Sequence, residues 1–200
     1  MRTSRVAALT LFLVPALAGW AAAPASLPRL DRVYVNPEPA PIADFTLTDQ
    51  DGKALAFSSL RGDPVLVFFG FTHCPSICPT TLARLKSLHA ARDGALKSAR
   101  VVLISVDGDR DTPERLKSYL APLSPDFIGL TGDPKATSKI AARFAAVFFK
   151  EPAAKDGSYN VMHSTQVFAV DKTGSVRATF VDASIEDMAT ITRLLVDEPG

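Results

Sequence analysis

Two stretches beyond residue 25 are almost continuously apolar. Val65 to Phe71 (VLVFFGF) and Val101 to Val106 (VVLISV) are rich in β-branched and aromatic residues, the pattern of strands covered on both faces. A helix signal follows each. Pro79 opens TTLARLKSLHAA with Leu82, Leu85 and Leu88 on one face, and Thr112-Pro113 offers a cap and a first-turn proline before ERLKSYLAPL. Phe127 to Leu130 is a short strand candidate, and Asp133-Pro134 starts a third helix predicted to run through Phe148. Thr165 to Val170, a turn at Asp171 to Gly174 and Val176 to Val181 read as a late hairpin, followed by a Ser184-capped helix to Val196. Earlier, Phe45, Leu47, Leu55 and Phe57 alternate around Asp51-Gly52, which predicts an N-terminal β-hairpin.

Strands alternating with helices require a sheet covered on both faces, and the late hairpin makes that sheet mixed. The expected class is therefore α/β, with a mixed sheet flanked by helices. Residues 42–200 are expected to form this single domain, with no repeat and no second domain. Residues 26–41, with Pro28, Pro37, Pro39 and Pro41, read as an extended tether. Before them, Arg2 and Arg5 precede the apolar run Val6 to Trp20 and the small residues Ala21 to Ala25. Residues 1–25 thus predict a signal peptide or a membrane anchor and an exported domain, periplasmic or held at the cytoplasmic membrane facing outward.

With 47% hydrophobic and 22% charged residues in 200, the composition is that of an ordinary globular domain. The leader holds two of the 22 basic residues and none of the 21 acidic ones, so the remainder carries 20 against 21. A near-neutral domain with no basic block lacks the electrostatic footprint of a nucleic-acid binder.

The only cysteines, Cys74 and Cys78, lie in FTHCPSICP, between the first buried strand and its helix. If that turn is helical, their Cβ atoms are neighbours about 5 to 6 Å apart. This spacing suits two thiolates on one metal ion better than a disulfide, whose Cβ atoms lie about 3.8 Å apart. A disulfide nevertheless stays open in an exported protein. The helix N-terminus is expected to lower both thiol pKa values. Of three histidines, His89 lies 11 residues beyond Cys78, about 16 Å along the helix axis and out of reach. His73 neighbours Cys74 and should point to the opposite face. His163, just before the late hairpin, is the remaining candidate third ligand. Its neighbour Met162 reads as core filling.

Three segments carry a family likeness. DFTLTDQDGKALAFSSLRGDPVLVFFGFTHCPSICPTTL (Asp44 to Leu82), SVDGDRDTPERLKSYL (Ser105 to Leu120) and MHSTQVFAVDKTG (Met162 to Gly174) resemble the SCO/SenC family of copper proteins in order and spacing. The resemblance implies a thioredoxin-like fold and a copper site made by Cys74, Cys78 and His163. It further implies a metallochaperone that delivers copper to, or reduces the cysteines of, the binuclear copper centre of cytochrome c oxidase subunit II, or that serves another copper acceptor. A thiol reductant protein is a second expected partner if Cys74 and Cys78 act as a redox pair, and the leader would supply any membrane association. Many relatives carry an acidic residue after the first Cys-Pro, where this chain has Ser76. Asp107 and Arg110 read as supports of the site, with Asp111 and Thr112 shaping a helix start. The competing reading is an exported thiol-disulfide oxidoreductase with no essential metal. A peroxidase is a third, with Thr72 as the nearest supporting hydroxyl.

Overall fold

A computed structural model describes residues 26–90, 96 and 98–199; the predicted leader lies outside them. The two apolar runs form β4 (Val65–Gly70) and β5 (Arg100–Ser105), adjacent and parallel at the centre of an eight-stranded sheet. Beside β5 lies parallel β6 (Ile128–Thr131), followed by the antiparallel hairpin β2 (Thr46–Asp49) and β3 (Ala54–Ala56). Beside β4 lie β9 (Val167–Val170) and β10 (Ser175–Phe180), both antiparallel to their neighbours. The sheet order is β1-β10-β9-β4-β5-β6-β2-β3, with β1 spanning Val33–Pro41.

Four α-helices accompany the sheet among the described residues: α1 (Ile77–Ala90), α2 (Pro113–Leu120), α3 (Pro134–Arg143) and α4 (Ile185–Asp197). Thr112, Asp133 and Ser184 cap the last three, each accepting a backbone N–H from the first turn. Helix α1 buries Cys78 together with the predicted face Leu82, Leu85 and Leu88. The mixed α/β class follows from the sequence pattern and is what the molecule shows.

Three elements differ from the sequence expectation. The stretch read as a tether is not free along its length, because Val33–Pro41 pairs with β10, Val33 opposite Phe180 and Pro41 opposite Ser175. An edge strand tolerates the prolines, and the register shifts between Val35 and Ala40, where Pro37 and Pro39 fall. Helix α3 stops at Arg143 rather than Phe148. Phe144 turns into the core against Phe69 and Phe168, at centroid distances of 5.4 and 5.5 Å, and Ala145 takes a left-handed φ of 56°. Phe148, expected to end that helix, instead opens β7 (Phe148–Lys150), which pairs with β8 (Val161–His163) as a separate two-stranded ribbon.

Candidate metal centre

Parallel β4 and β5 end side by side, Gly70 opposite Ser105, so their following loops form one rim. Rims at the carboxyl ends of parallel strands are where α/β sheets place their sites. The first loop carries Cys74 and leads into α1, whose opening turn carries Cys78. Both are free cysteines, 8% and 0% exposed. Helix α1 begins only at Ile77, so Cys74 sits in the preceding turn, where its sulfur accepts the Cys78 backbone N–H at 3.4 Å. Gly70 makes room for the second sulfur: a Cβ there would stand 3.1 Å from Cys78 Sγ and 2.8 Å from the Phe68 ring.

His163 arrives from the ribbon. Its Nε2 lies 3.4 Å from Cys78 Sγ, and donor atoms of Cys74, Cys78 and His163 all lie within 4.8 Å of one another. The imidazole packs edge-on to Phe68 and Phe71, with centroids 6.0 and 5.6 Å away. Its Nδ1 is 2.8 Å from the Ser164 carbonyl oxygen. A carbonyl can only accept, so Nδ1 carries the proton and the Nε2 lone pair faces the sulfurs. Burial holds the imidazole below its ordinary pKa, partly opposed by the Ser164 hydrogen bond, which keeps the ring neutral and able to ligate at neutral pH.

The Cys78 thiol departs from the expectation drawn from the helix N-terminus. Burial pushes the Cys78 thiol up, and the neighbouring Cys74 sulfur adds to the rise. Desolvation of the charged form outweighs the dipole at this sulfur. Two cysteine sulfurs and an imidazole at one corner form a soft-to-borderline donor set, suited to copper or zinc rather than hard cations. Metal–sulfur and metal–nitrogen bonds of about 2.3 and 2.0 Å sum to more than the observed 3.4 Å sulfur–nitrogen separation. One ion can therefore touch both. A cavity of about 230 Å³ opens onto Phe71, Cys74, Ile77, Met162, His163 and Thr165, leaving the cluster approachable from solvent.

His89, near the end of α1, packs against Phe127, far from the sulfurs as the sequence spacing requires. His73 is exposed and lies 3.8 Å from Asp111. It forms a second grouping with Asp107 and Asp111, but those carboxylates are engaged. Asp111, fully buried, accepts the Thr72 backbone N–H at 2.9 Å, the Thr72 hydroxyl at 2.6 Å and the Ser105 hydroxyl at 2.7 Å. Asp107 accepts from Arg110 Nε at 2.5 Å and from the Tyr159 hydroxyl at 2.8 Å. This second grouping is a hydrogen-bonded brace. In it the Thr72 hydroxyl donates to Asp111 and accepts from Arg115 Nε at 2.7 Å, so both are engaged with each other rather than with a sulfur.

Sequence reasoning missed two contributors and misplaced a third. Gly70 and Tyr159 carried faint signals: a glycine closing an apolar strand, and a lone aromatic in the polar loop 151–160. Met162, expected in the core, is 46% exposed. It stands opposite Phe149 on the outward face of the ribbon, while His163 stands opposite Phe148 on the inward face.

A mixed sheet flanked by helices, with an open thiol–imidazole cluster at the strand-to-helix corner, defines a thioredoxin-like protein with a soft-metal donor set. The model of the SCO1/SenC family matches residues 36–196, and the chain belongs to that family. It is 34% identical over 153 residues to a SCO2-like protein of Rickettsia conorii, covering 75% of this chain and 74% of that one. With the human mitochondrial SCO2 homolog it shares 33% identity over 133 residues, 66% of this chain and 50% of the human protein. Among solved structures it resembles copper-bound ScoI of Bradyrhizobium japonicum, at 36% identity and a TM-score of 0.71, covering 78% of this chain and 99% of that one. It also resembles copper-bound yeast Sco1, at 27% identity and a TM-score of 0.71, over 81% and 91% of the two chains.

Proposed function

We infer that this chain is a copper metallochaperone that carries one copper ion on Cys74, Cys78 and His163 and delivers it to the binuclear centre of cytochrome c oxidase subunit II or to another copper acceptor. The observation that supports the reading is the convergence of three soft-to-borderline donors within 4.8 Å at an open sheet end. The copper-bound relatives add weight. Copper is cargo here, and a site that must release it benefits from few ligands and an approachable face. Cys74 and His163 line the cavity while Cys78 lies behind them, so an acceptor thiolate would reach the ion from their side.

The experiment is copper stoichiometry and absorption of the reduced protein with Cys74, Cys78 and His163 replaced in turn. About one copper per chain is expected, as for a single cluster of this donor set. Sulfur-to-copper bands should vanish in each cysteine variant, and Cu(II) binding should weaken sharply in His163→Ala. Unchanged Cu(II) affinity in His163→Ala would remove the imidazole from the site. Work outside the cytoplasmic membrane belongs to the same proposal, supported by Arg2, Arg5 and the apolar run Val6 to Trp20. No helix among the described residues is long and apolar enough to cross a membrane.

A second reading, reduction of the acceptor's cysteines, draws on the two free thiols side by side. In that chemistry both thiols of the pair are oxidised to a disulfide as the acceptor disulfide gains two electrons and two protons. Cys74 faces the cavity and would be the attacking sulfur. Stoichiometric reduction of an oxidised acceptor peptide by the metal-free protein would favour this role.

A further inference from the structure

The donor set comes from two pieces of chain that share no sheet. Cys74 and Cys78 belong to the β4–α1 corner, whereas His163 ends β8 in a ribbon of two three-residue strands. Such a ribbon has no independent stability. Something must fix its distance from the thiols.

The loop 107–111, which follows β5, touches both pieces. It is a tight turn in which the Arg110 and Asp111 N–H groups both donate to the Asp107 carbonyl at 2.9 Å. Gly108 lies directly against the Gly132 carbonyl, a position with no space for a Cβ. On the thiol side, Asp111 grips Thr72, two residues before Cys74. On the imidazole side, Arg110 and Asp107 grip Tyr159, four residues before His163. Arg110 Nη1 donates to the Tyr159 carbonyl at 3.0 Å, its guanidinium lies 3.6 Å over the Tyr159 ring, and the phenol donates to Asp107. Lys150 of β7 covers the same ring at 3.6 Å. The ring is therefore held between two cations, one from the body of the protein and one from the ribbon.

We propose that Tyr159, clamped by Asp107, Arg110 and Lys150, is the positioning residue for His163, and that the loop 107–111 thereby sets the spacing between the imidazole and the two thiols. The inference rests on the metal-site reading above. Because the clamp acts on the imidazole alone, it governs Cu(II), which needs the nitrogen donor, more than Cu(I), which two thiolates can hold.

The test uses the full chain with Tyr159→Ala, which removes ring and hydroxyl, and Tyr159→Phe, which keeps the ring. Tyr159→Ala should lower Cu(II) affinity by about ten- to a hundredfold and shift the Cu(II) absorption and nitrogen hyperfine signals towards those of His163→Ala, while Cu(I) affinity changes by less than about threefold. Tyr159→Phe should fall between. In the metal-free protein, amide exchange at Val161 to His163 should quicken by about tenfold or more in Tyr159→Ala. Wild-type Cu(II) spectra and wild-type exchange in Tyr159→Ala would overturn the proposal, as would equal losses of Cu(I) and Cu(II). Should the unaltered protein take up no copper, the functional reading fails, and the exchange measurement still decides the clamp.

Discussion

The two halves of the donor cluster are held by different physics. Around Cys78 the supports are core: β4 is buried along its whole length, Cys78 has no exposed surface, and α1 packs Leu82, Leu85 and Leu88 beneath it. The imidazole leans on two core rings, Phe68 and Phe71, but its remaining supports are polar and peripheral, a carbonyl and a clamped tyrosine at the foot of a small ribbon. Packing gives a rigid position that changes only with large energies. A few hydrogen bonds and ring contacts give a position adjustable by a few kcal/mol. The proposed role of holding copper and then releasing it would gain from having one half of each kind.

The largest effect should come from the buried half. Cys78→Ser keeps the volume nearly constant but replaces a thiolate donor with a hydroxyl that stays protonated, so copper stoichiometry of the reduced protein should fall from about one towards zero. If Cys78→Ser retained full occupancy, the sulfur behind the cavity would not be a donor.

Next comes the support of the thiol loop. Asp111→Ala leaves the Thr72 N–H and the Ser105 hydroxyl without their buried acceptor, and a loss of about 3 kcal/mol in denaturant unfolding is expected. A loss within about 0.5 kcal/mol would mean that Asp111 is a passive neighbour, since that is the ordinary scatter of surface substitutions.

The same contrast governs what could be read from the sequence. The thiol half was legible because a continuous apolar run and the helix face Leu82, Leu85 and Leu88 that follows it are strong signals, and they place Cys74 and Cys78 at a corner without further information. His163 emerged once His73 and His89 were set aside on geometry, but the ribbon that carries it did not. Strands of three residues show no period, and the expected continuation of α3 ran into the first residue of β7, whereas Phe144 turns inward and Ala145 adopts a left-handed φ. Proline likewise hid β1, because Pro37 and Pro39 argue against a strand everywhere except at an edge. The direction of the Cys78 pKa was missed for another reason. A helix start is visible in sequence, whereas how deeply its first turn is buried depends on tertiary packing. Asp107 and Arg110 were recognised as supports, yet their partner Tyr159 lies 49 residues from Arg110, a pairing that no local pattern encodes.

The pH dependence of copper uptake sharpens the comparison further. With its pKa raised, Cys78 is a thiol in the metal-free protein at neutral pH, so copper entry must expel its proton. His163, its pKa lowered below 6.5, is already neutral and expels none. Between the lowered imidazole value and the raised thiol value, apparent affinity should therefore fall by about tenfold or more for each unit of acidification. Below the imidazole value protons compete for Nε2 as well, and the slope should steepen. Potentiometric proton release on copper addition measures this directly. Affinity independent of pH between about 6.5 and 8, above the ordinary imidazole range, would mean that the bound sulfur is already a thiolate.

The smallest effect tests whether the imidazole is held by backbone or by side chain. Ser164 does two things: its carbonyl oxygen fixes the His163 tautomer, and its hydroxyl accepts the Val147 N–H at 2.9 Å, alongside the reciprocal bond from the Ser164 N–H to the Val147 carbonyl. Ser164→Ala removes only the hydroxyl. One partly exposed hydrogen bond is worth about 0.5 to 1 kcal/mol, so unfolding stability should drop by no more than that. Exchange at the Val147 amide should quicken, because that N–H loses its acceptor. Copper affinity and the Cu(II) spectrum should be unchanged, since the carbonyl that keeps the proton on Nδ1 and the lone pair on Nε2 is still in place. A changed Cu(II) spectrum in Ser164→Ala would show that the Val147–Ser164 junction at the end of the ribbon, and not the carbonyl and the Tyr159 clamp, decides where the imidazole points.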